Sequence, residues 1–270
     1  MRRILLLALL LATAIASGAD KPWWMRPLLY PIRGKAAVRE NVVVRTDGEE
    51  KLLADIYTPP SGKNQPIVIL IHGGPIRPGD QLKNLPVFRD YGRLLAGEGF
   101  VAVTFNHRYY RANDFATAAA DVKALIDYVR AAGIGDADKI VLWAFSGGGP
   151  LLTLGFDKPY VRALIDYYAI LDGPMPYAPI ARAAEVRVPM LIERGGRDMP
   201  EVNEPLKRFL DAALTNGVNL ELLNHPAGEH AFDIVTDDAR TRQIIARTLA
   251  FLHDVTAVRD GRNRAAAEPS

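Results

Sequence analysis

The chain has 270 residues, 49% of them hydrophobic and 24% charged, which is enough apolar material for one sizeable core. It has no cysteine, so disulfides and a lipid anchor on an N-terminal cysteine are excluded. Setting Arg2 and Arg3 aside takes the formal charge from +2 to zero, and no basic run with interleaved aromatics occurs, so no nucleic-acid partner is expected.

Arg2 and Arg3 precede an unbroken apolar run, Ile4 to Leu11, and then small residues that offer Ala14/Ala16 or Ser17/Ala19 to a signal peptidase. A spanning helix needs roughly 20 apolar residues, and this run meets Ser17 and Asp20 too early. Residues 1–19 therefore read as a secretory signal peptide, with cleavage between Ala16 and Ala19. The mature protein is expected to be secreted or periplasmic and free of the membrane. Residues 20–258 read as one domain without repeat or linker, and 259–270 as a frayed tail without apolar period.

Trp23, Trp24, Leu28, Leu29 and Tyr30 lie among Pro22, Pro27 and Pro31, which suits an irregular segment across an apolar surface. Two antiparallel strands are expected around Val42–Arg45 and Leu52–Tyr57, joined by a hairpin turn at Asp47 and Gly48. Pro66 to Ile71 is a continuous apolar run, and a strand with both faces covered reads this way. Similar runs follow at Phe100–Phe105, Lys139–Phe145, Val161–Leu171 with interruptions, and Val188–Glu193, with a last strand at Val218–Leu223.

Helical periods separate these runs. Val122, Leu125, Ile126 and Val129 precede Gly133; Leu206, Phe209, Leu210 and Ala213 precede Gly217; a last helix is expected from about Asp237 to His253. Strands alternating with helices predict an α/β fold, a doubly wound and mostly parallel sheet with helices on both faces and ligands at the carboxyl ends of the strands.

The run Val141 to Phe145 stops on Ser146, followed by Gly147, Gly148 and Gly149. A turn that lifts a serine hydroxyl clear of a strand end needs small residues two before and two after it, and Ala144 and Gly148 satisfy this. The glycines also let a following helix present free amides, with Pro150 in its first turn. Phosphate binding is the weaker reading, since GxGxxG and a P-loop Lys-Ser/Thr pair are absent.

Four motifs in order, His72-Gly73-Gly74-Pro75, Ala144-Phe145-Ser146-Gly147-Gly148, Gly195-Gly196-Arg197-Asp198 and Gly228-Glu229-His230, resemble the α/β-hydrolase superfamily. Within it the chain is similar to the dienelactone-hydrolase-like and acetyl-esterase-like branch, from Ala36 to about Val255. The resemblance implies an α/β-hydrolase fold with antiparallel N-terminal strands. It implies an oxyanion hole from the amide of Gly147 with Gly74, or next Gly73, and His72 pinning that loop rather than moving protons.

It also implies the order Ser, acid, His. Of His225, His230 and His253, the loop histidine His230 is favoured, with His225 as rival. Asp198 leaves the strand at 188–193 on the same edge as Ser146 and is favoured over Glu193 and Asp172, while an Asp233 hydrogen bond would be a local cap. His225 and His230 do not have the HExxH spacing, so no metal is expected, and no cofactor.

The proline-rich stretch Pro174, Pro176, Pro179 argues against a helical lid, and Trp23, Trp24 and Phe145 are candidates for an apolar wall. The expected reaction is hydrolysis of a small-molecule ester, short-chain or aryl, through an acyl-enzyme. The alternatives are a prolyl-oligopeptidase-like peptidase or amidase and a non-catalytic binding protein. Oligomeric state is not legible.

Overall fold

Five strands that read as apolar runs form the middle of one sheet. In the computed structural model, which describes residues 22–111 and 114–257, the first strands are β1 (Ala37–Asp47), β2 (Glu50–Thr58) and β3 (Ile67–Ile71). They are followed by β4 (Val101–Phe105), β5 (Ile140–Phe145), β6 (Val161–Tyr167), β7 (Met190–Gly195) and β8 (Leu220–His225). The order across the sheet is β1-β2-β4-β3-β5-β6-β7-β8. The pairs β1·β2 and β2·β4 are antiparallel, and all others are parallel.

Helices cover both faces because β3, β4 and β5 are buried along their whole length and have no polar side to offer water. Helices α1 (Pro86–Gly97), α4 (Phe232–Val235) and α5 (Ala239–Ala257) share one core with Val68, Trp143 and Ile165. On the other face, α2 (Phe115–Ala131) and α3 (Pro200–Thr215) pack on Ile69, Leu142 and Ile192. Full burial of each large apolar side chain contributes on the order of 1.5–3 kcal/mol, and both layers are needed for that.

The expected hairpin is present, with Asp47 paired to Glu50 and Gly48 in the left-handed region at φ +62°. The proline-rich segment lies across α1 and α4: Leu28 is buried, its amide donates to Asp90, and the Leu29 amide donates to the Asp233 carbonyl. Among the described residues, no helix is long and apolar enough to cross a membrane. The expected signal peptide and tail lie outside the described residues.

Two expectations are corrected, those for the strand at Val161 and for the segment after Ser146. The strand begun at Val161 stops at Tyr167, because Tyr168 turns the chain with φ +42°. The expected last helix is α5, and the short helix α4 precedes it across Thr236–Asp238. The segment after Ser146 winds as a 3-10 helix from Ser146 to Gly155 rather than an α-helix. Pro150 has no N–H to give the Ser146 carbonyl four residues back, and that carbonyl accepts instead from the Ile170 amide at 2.8 Å.

Candidate active site

Ser146 stands at the carboxyl edge of the central strand β5, with φ +51°. A non-glycine residue is strained there, and such strain persists only where the surroundings fix it. They do so here. A Cβ added to Gly148 would fall 2.8 Å from the His72 carbonyl oxygen and 3.0 Å from that of Ile71, and Ala144 is wholly buried between Ile71 and Asp166 on the flanking strands. The small residues on either side of the serine therefore have the steric role read from the sequence.

The structure brings Ser146, His230 and Asp198 together from three loops. Ser146 Oγ lies 3.0 Å from His230 Nε2, and His230 Nδ1 lies 3.0 Å from both carboxylate oxygens of Asp198. Since a carboxylate only accepts, Nδ1 carries the proton and donates, which leaves Nε2 free to accept from the serine hydroxyl. The Asp198 side chain is fully buried, while His230 retains 18% exposure. A substrate can therefore reach the imidazole side of the group but not its carboxylate.

The loops that carry Asp198 and His230 are tied to each other. Asp198 follows β7, and its Oδ1 also accepts the Met199 amide at 2.7 Å. The Gly196 amide donates to His225 O and the Arg197 amide to Gly228 O, while Asn203 Nδ2 donates to the carbonyls of Gly195 and Asp198. A Cβ on Gly196 would collide with the Pro226 carbonyl. Gly195 and Gly196 thus let this loop's backbone touch the one that carries His230, which fixes Asp198 and His230 at one spacing, while Gly228 leaves room for the His225 ring.

The loop after β3 lies against the serine. A Cβ on Gly73 would sit 2.7 Å from Ser146 Cβ and 3.2 Å from both Ser146 Oγ and the Gly147 amide nitrogen, and one on Gly147 would strike Gly74. Gly73, Gly74 and Gly147 therefore bring their main chains together beside the hydroxyl. The Ser146 side of that loop is where an anionic oxygen could meet backbone amides.

His72 pins this loop, as expected, with a partner the sequence reading did not single out. Its Nδ1–H donates to Gly73 O at 2.6 Å, its Nε2 accepts the His107 amide at 3.2 Å, and His107 Nε2–H donates to the His72 carbonyl at 3.0 Å. The two rings stack at 3.8 Å. Burial holds both imidazoles neutral: His72 titrates well below the usual range, with the neighbouring His107 adding to the effect, and His107 is brought down to about 4. A signal was present, since both histidines closely follow apolar runs that become adjacent parallel strands.

The rivals are placed elsewhere. His225 ends β8, buried, with Nε2 beside Thr241 Oγ1 at 3.1 Å and Asp238 at 3.3 Å. Asp172 pairs with Arg208, and His253 faces Glu98. Asp233 is not a local cap: its two oxygens accept the hydroxyls of Tyr91 (2.8 Å) and Tyr168 (3.0 Å). Phe145 is no pocket wall, because its ring is buried among Phe88, Tyr91, Trp143 and Tyr167. Trp23 lies 5.7 Å from Trp24 on a 3-10 turn that packs on α1 and α4. A cleft of about 180 Å³ opens beside Ile76, His107 and Arg108, and the three grouped residues do not line it.

Glu193 and Asp166 are wholly buried beneath the site. Burial raises both carboxyls well above the usual range, with the charges of Asp166, Asp233 and Asp198 adding at Glu193 and that of Asp198 adding at Asp166. A carboxyl raised in the folded state stabilises the fold while the unfolded chain is protonated, below about pH 4, and that stability drains away as pH rises toward the folded value. Glu193→Gln is expected to remove this loss. In urea titrations between about pH 5 and 8, the variant's stability should fall less steeply than wild type, by up to about 1.4 kcal/mol per pH unit. Equal slopes would contradict the protonated reading.

Comparison with known proteins finds chains similar in sequence and in fold. The BD-FAE family model matches residues 54–172. A putative carboxymethylenebutenolidase of Methylorubrum extorquens is 26% identical over 118 residues, a stretch covering 42% of this chain and 40% of that protein. A putative dienelactone hydrolase from Klebsiella pneumoniae superposes with TM-score 0.65 at 21% identity, over 80% of this chain and 98% of that one. The thermophilic esterase Est2 of Thermogutta terrifontis gives TM-score 0.65 at 21% identity, over 84% of this chain and 95% of that one. The chain thus has the α/β-hydrolase fold.

Proposed function

We propose that this protein is an exported serine hydrolase that cleaves carboxylic esters, short-chain or aryl, through an acyl-enzyme on Ser146. The observation that carries the reading is the unbroken line from Ser146 Oγ to His230 Nε2 and from His230 Nδ1 to Asp198, set beside the glycine loop. A serine hydroxyl is a weak nucleophile until an imidazole takes its proton, and the imidazole needs a carboxylate to hold the right tautomer.

In this reading His230 accepts the proton as Ser146 Oγ attacks the ester carbonyl. The oxygen that becomes anionic is held by the amides of Gly147 and Gly74, with Gly73 the alternative to Gly74. His230 then returns the proton to the departing alcohol. Water, activated by the same imidazole, attacks the acyl-serine and releases the acid. Asp198 keeps Nδ1–H pointed at itself and stabilises the imidazolium. No metal or cofactor enters any step.

Export rests on the pattern Arg2, Arg3, Ile4 to Leu11 alone. The ester preference draws on what the named relatives are called, since fold does not choose between an ester and an amide. Initial rates on p-nitrophenyl acetate, butyrate and laurate beside aminoacyl anilides test it. Turnover of acetate and butyrate above laurate, with anilides slower, is expected. Anilide turnover above every ester would favour a peptidase, and no turnover of any kind a binding protein.

A further inference from the structure

Five non-glycine residues among those described have positive φ: Asn41, Asn64, Ser146, Tyr168 and Ala231. Asparagine tolerates that region; serine, tyrosine and alanine have no such licence. These three all belong to the backbone of one site, since Ala231 follows His230 and Tyr168 sits in the turn whose Ile170 amide donates to the Ser146 carbonyl. The catalytic reading accounts for Ser146, and Ala231 is adjacent to the base. Nothing so far accounts for Tyr168, the bulkiest of the three.

Its side chain supplies an answer. The Tyr168 ring meets the His230 imidazole at 5.0 Å between centroids and 65° between planes, an edge-to-face contact. Its hydroxyl donates to Asp233 Oδ1 at 3.0 Å, and Tyr91 on α1 holds the other oxygen of the same carboxylate. Asp233 is itself fixed, because the Leu29 amide donates to its carbonyl and its side chain is wholly buried. The turn is also locked from below, where the Ala169 amide donates to Asp166 Oδ1 at 2.8 Å.

A tyrosine in this strained turn is therefore clamped at both ends, with one of its ring contacts on the imidazole. We propose that Tyr168, held through its hydroxyl by Asp233, is a positioning residue that keeps the His230 imidazole in line between Ser146 and Asp198. The proposal rests on the serine-hydrolase reading. The groups facing Asp233 are Tyr91, Tyr167, Tyr168, Glu193 and His230. Burial raises its carboxyl to about 6, opposed by the two tyrosine hydroxyls, so it is an anion able to accept both of them above that pH.

The test uses the full chain and three variants. Tyr168→Leu removes ring and hydroxyl, Tyr168→Phe keeps the ring, and Asp233→Asn keeps the shape of the anchor. Each is measured for kcat and KM on p-nitrophenyl acetate, for Tm, and for the low-field proton resonance of His230 Nδ1–H. A misplaced imidazole should cost kcat while leaving KM within about twofold: roughly 10- to 100-fold in Tyr168→Leu, and roughly three- to tenfold in Asp233→Asn and Tyr168→Phe.

The resonance should broaden or vanish in Tyr168→Leu and persist in Tyr168→Phe, the conservative rescue. A merely structural tyrosine would lower Tm and leave kcat and the resonance alone, and that outcome overturns the proposal. If Tyr168→Leu does not fold, Tyr168→Phe and Asp233→Asn decide it, and wild-type kcat in both also overturns it. Wild-type protein that turns over no ester and takes no fluorophosphonate label overturns the serine-hydrolase reading and this proposal together. Labelling of wild type with undiminished variants overturns the proposal alone.

Discussion

Ser146→Ala is expected to lower the ester turnover number by about 10⁴- to 10⁶-fold while the protein stays folded. The size follows from how the three residues act as a unit: without Oγ, the imidazole has no proton to take and no covalent intermediate forms. The residual rate would come from the amides of Gly147 and Gly74 acting on water's attack. Folding should survive, because alanine loses a single oxygen and relieves nothing in the φ +51° turn, which is fixed by close backbone contacts of Gly148 and the Ile170 amide. The measurement is kcat with p-nitrophenyl acetate beside Tm. A variant within tenfold of wild type would remove Ser146 from the chemistry.

Asp198→Asn is expected to cost about 10⁴-fold in kcat with little change in Tm. An amide of the same shape can turn its NH₂ toward His230 Nδ1, which then must accept. The ring proton moves to Nε2, where it faces the serine hydroxyl and blocks proton transfer. The Met199 amide still has an oxygen to bond, so the loop is retained. Because the fault is the tautomer of His230, protonating that ring cannot repair it, and the loss should persist across the active pH range. Glu193→Gln and Asp172→Asn, on the two rival carboxylates, should each stay within about tenfold of wild type, since neither bonds His230.

The site was legible where chemistry constrains neighbours along the chain. A serine lifted off a strand end needs Ala144 and Gly148 at fixed offsets, so the turn is written within five residues. The loops of Asp198 and His230 were legible from their positions after strands and from the resemblance of their motifs, and Gly195 and Gly196 prove to be where the two backbones meet. The sheet was legible because strands covered on both faces have no polar alternation to hide them.

What stayed hidden depends on contacts between distant segments. Val161–Leu171 reads as an apolar run with interruptions, and nothing in a tyrosine announces that residue 168 will turn with φ +42° to set its ring on His230. Asp233 reads only as a neighbour of His230 whose hydrogen bond would be a local cap, yet Tyr91, 142 residues earlier, takes one of its oxygens. Helix α1 did leave a signal, with Pro86 at its first turn and Phe88, Tyr91 and Leu95 at helical spacing, but it lay between two stronger strand runs. The 3-10 winding after Ser146 follows from Pro150, once its missing N–H is matched with the carbonyl four residues back.

In the proposed mechanism one hydroxyl in this molecule, at position 146, is made nucleophilic by the histidine and aspartate beside it. Incubation with an alkyl fluorophosphonate followed by intact mass and peptide mapping addresses it in a single measurement. One phosphonyl adduct per chain, on the peptide carrying residue 146 and abolished by heat denaturation beforehand, is the expected result. An unmodified folded chain, or an adduct on any other residue, would contradict it.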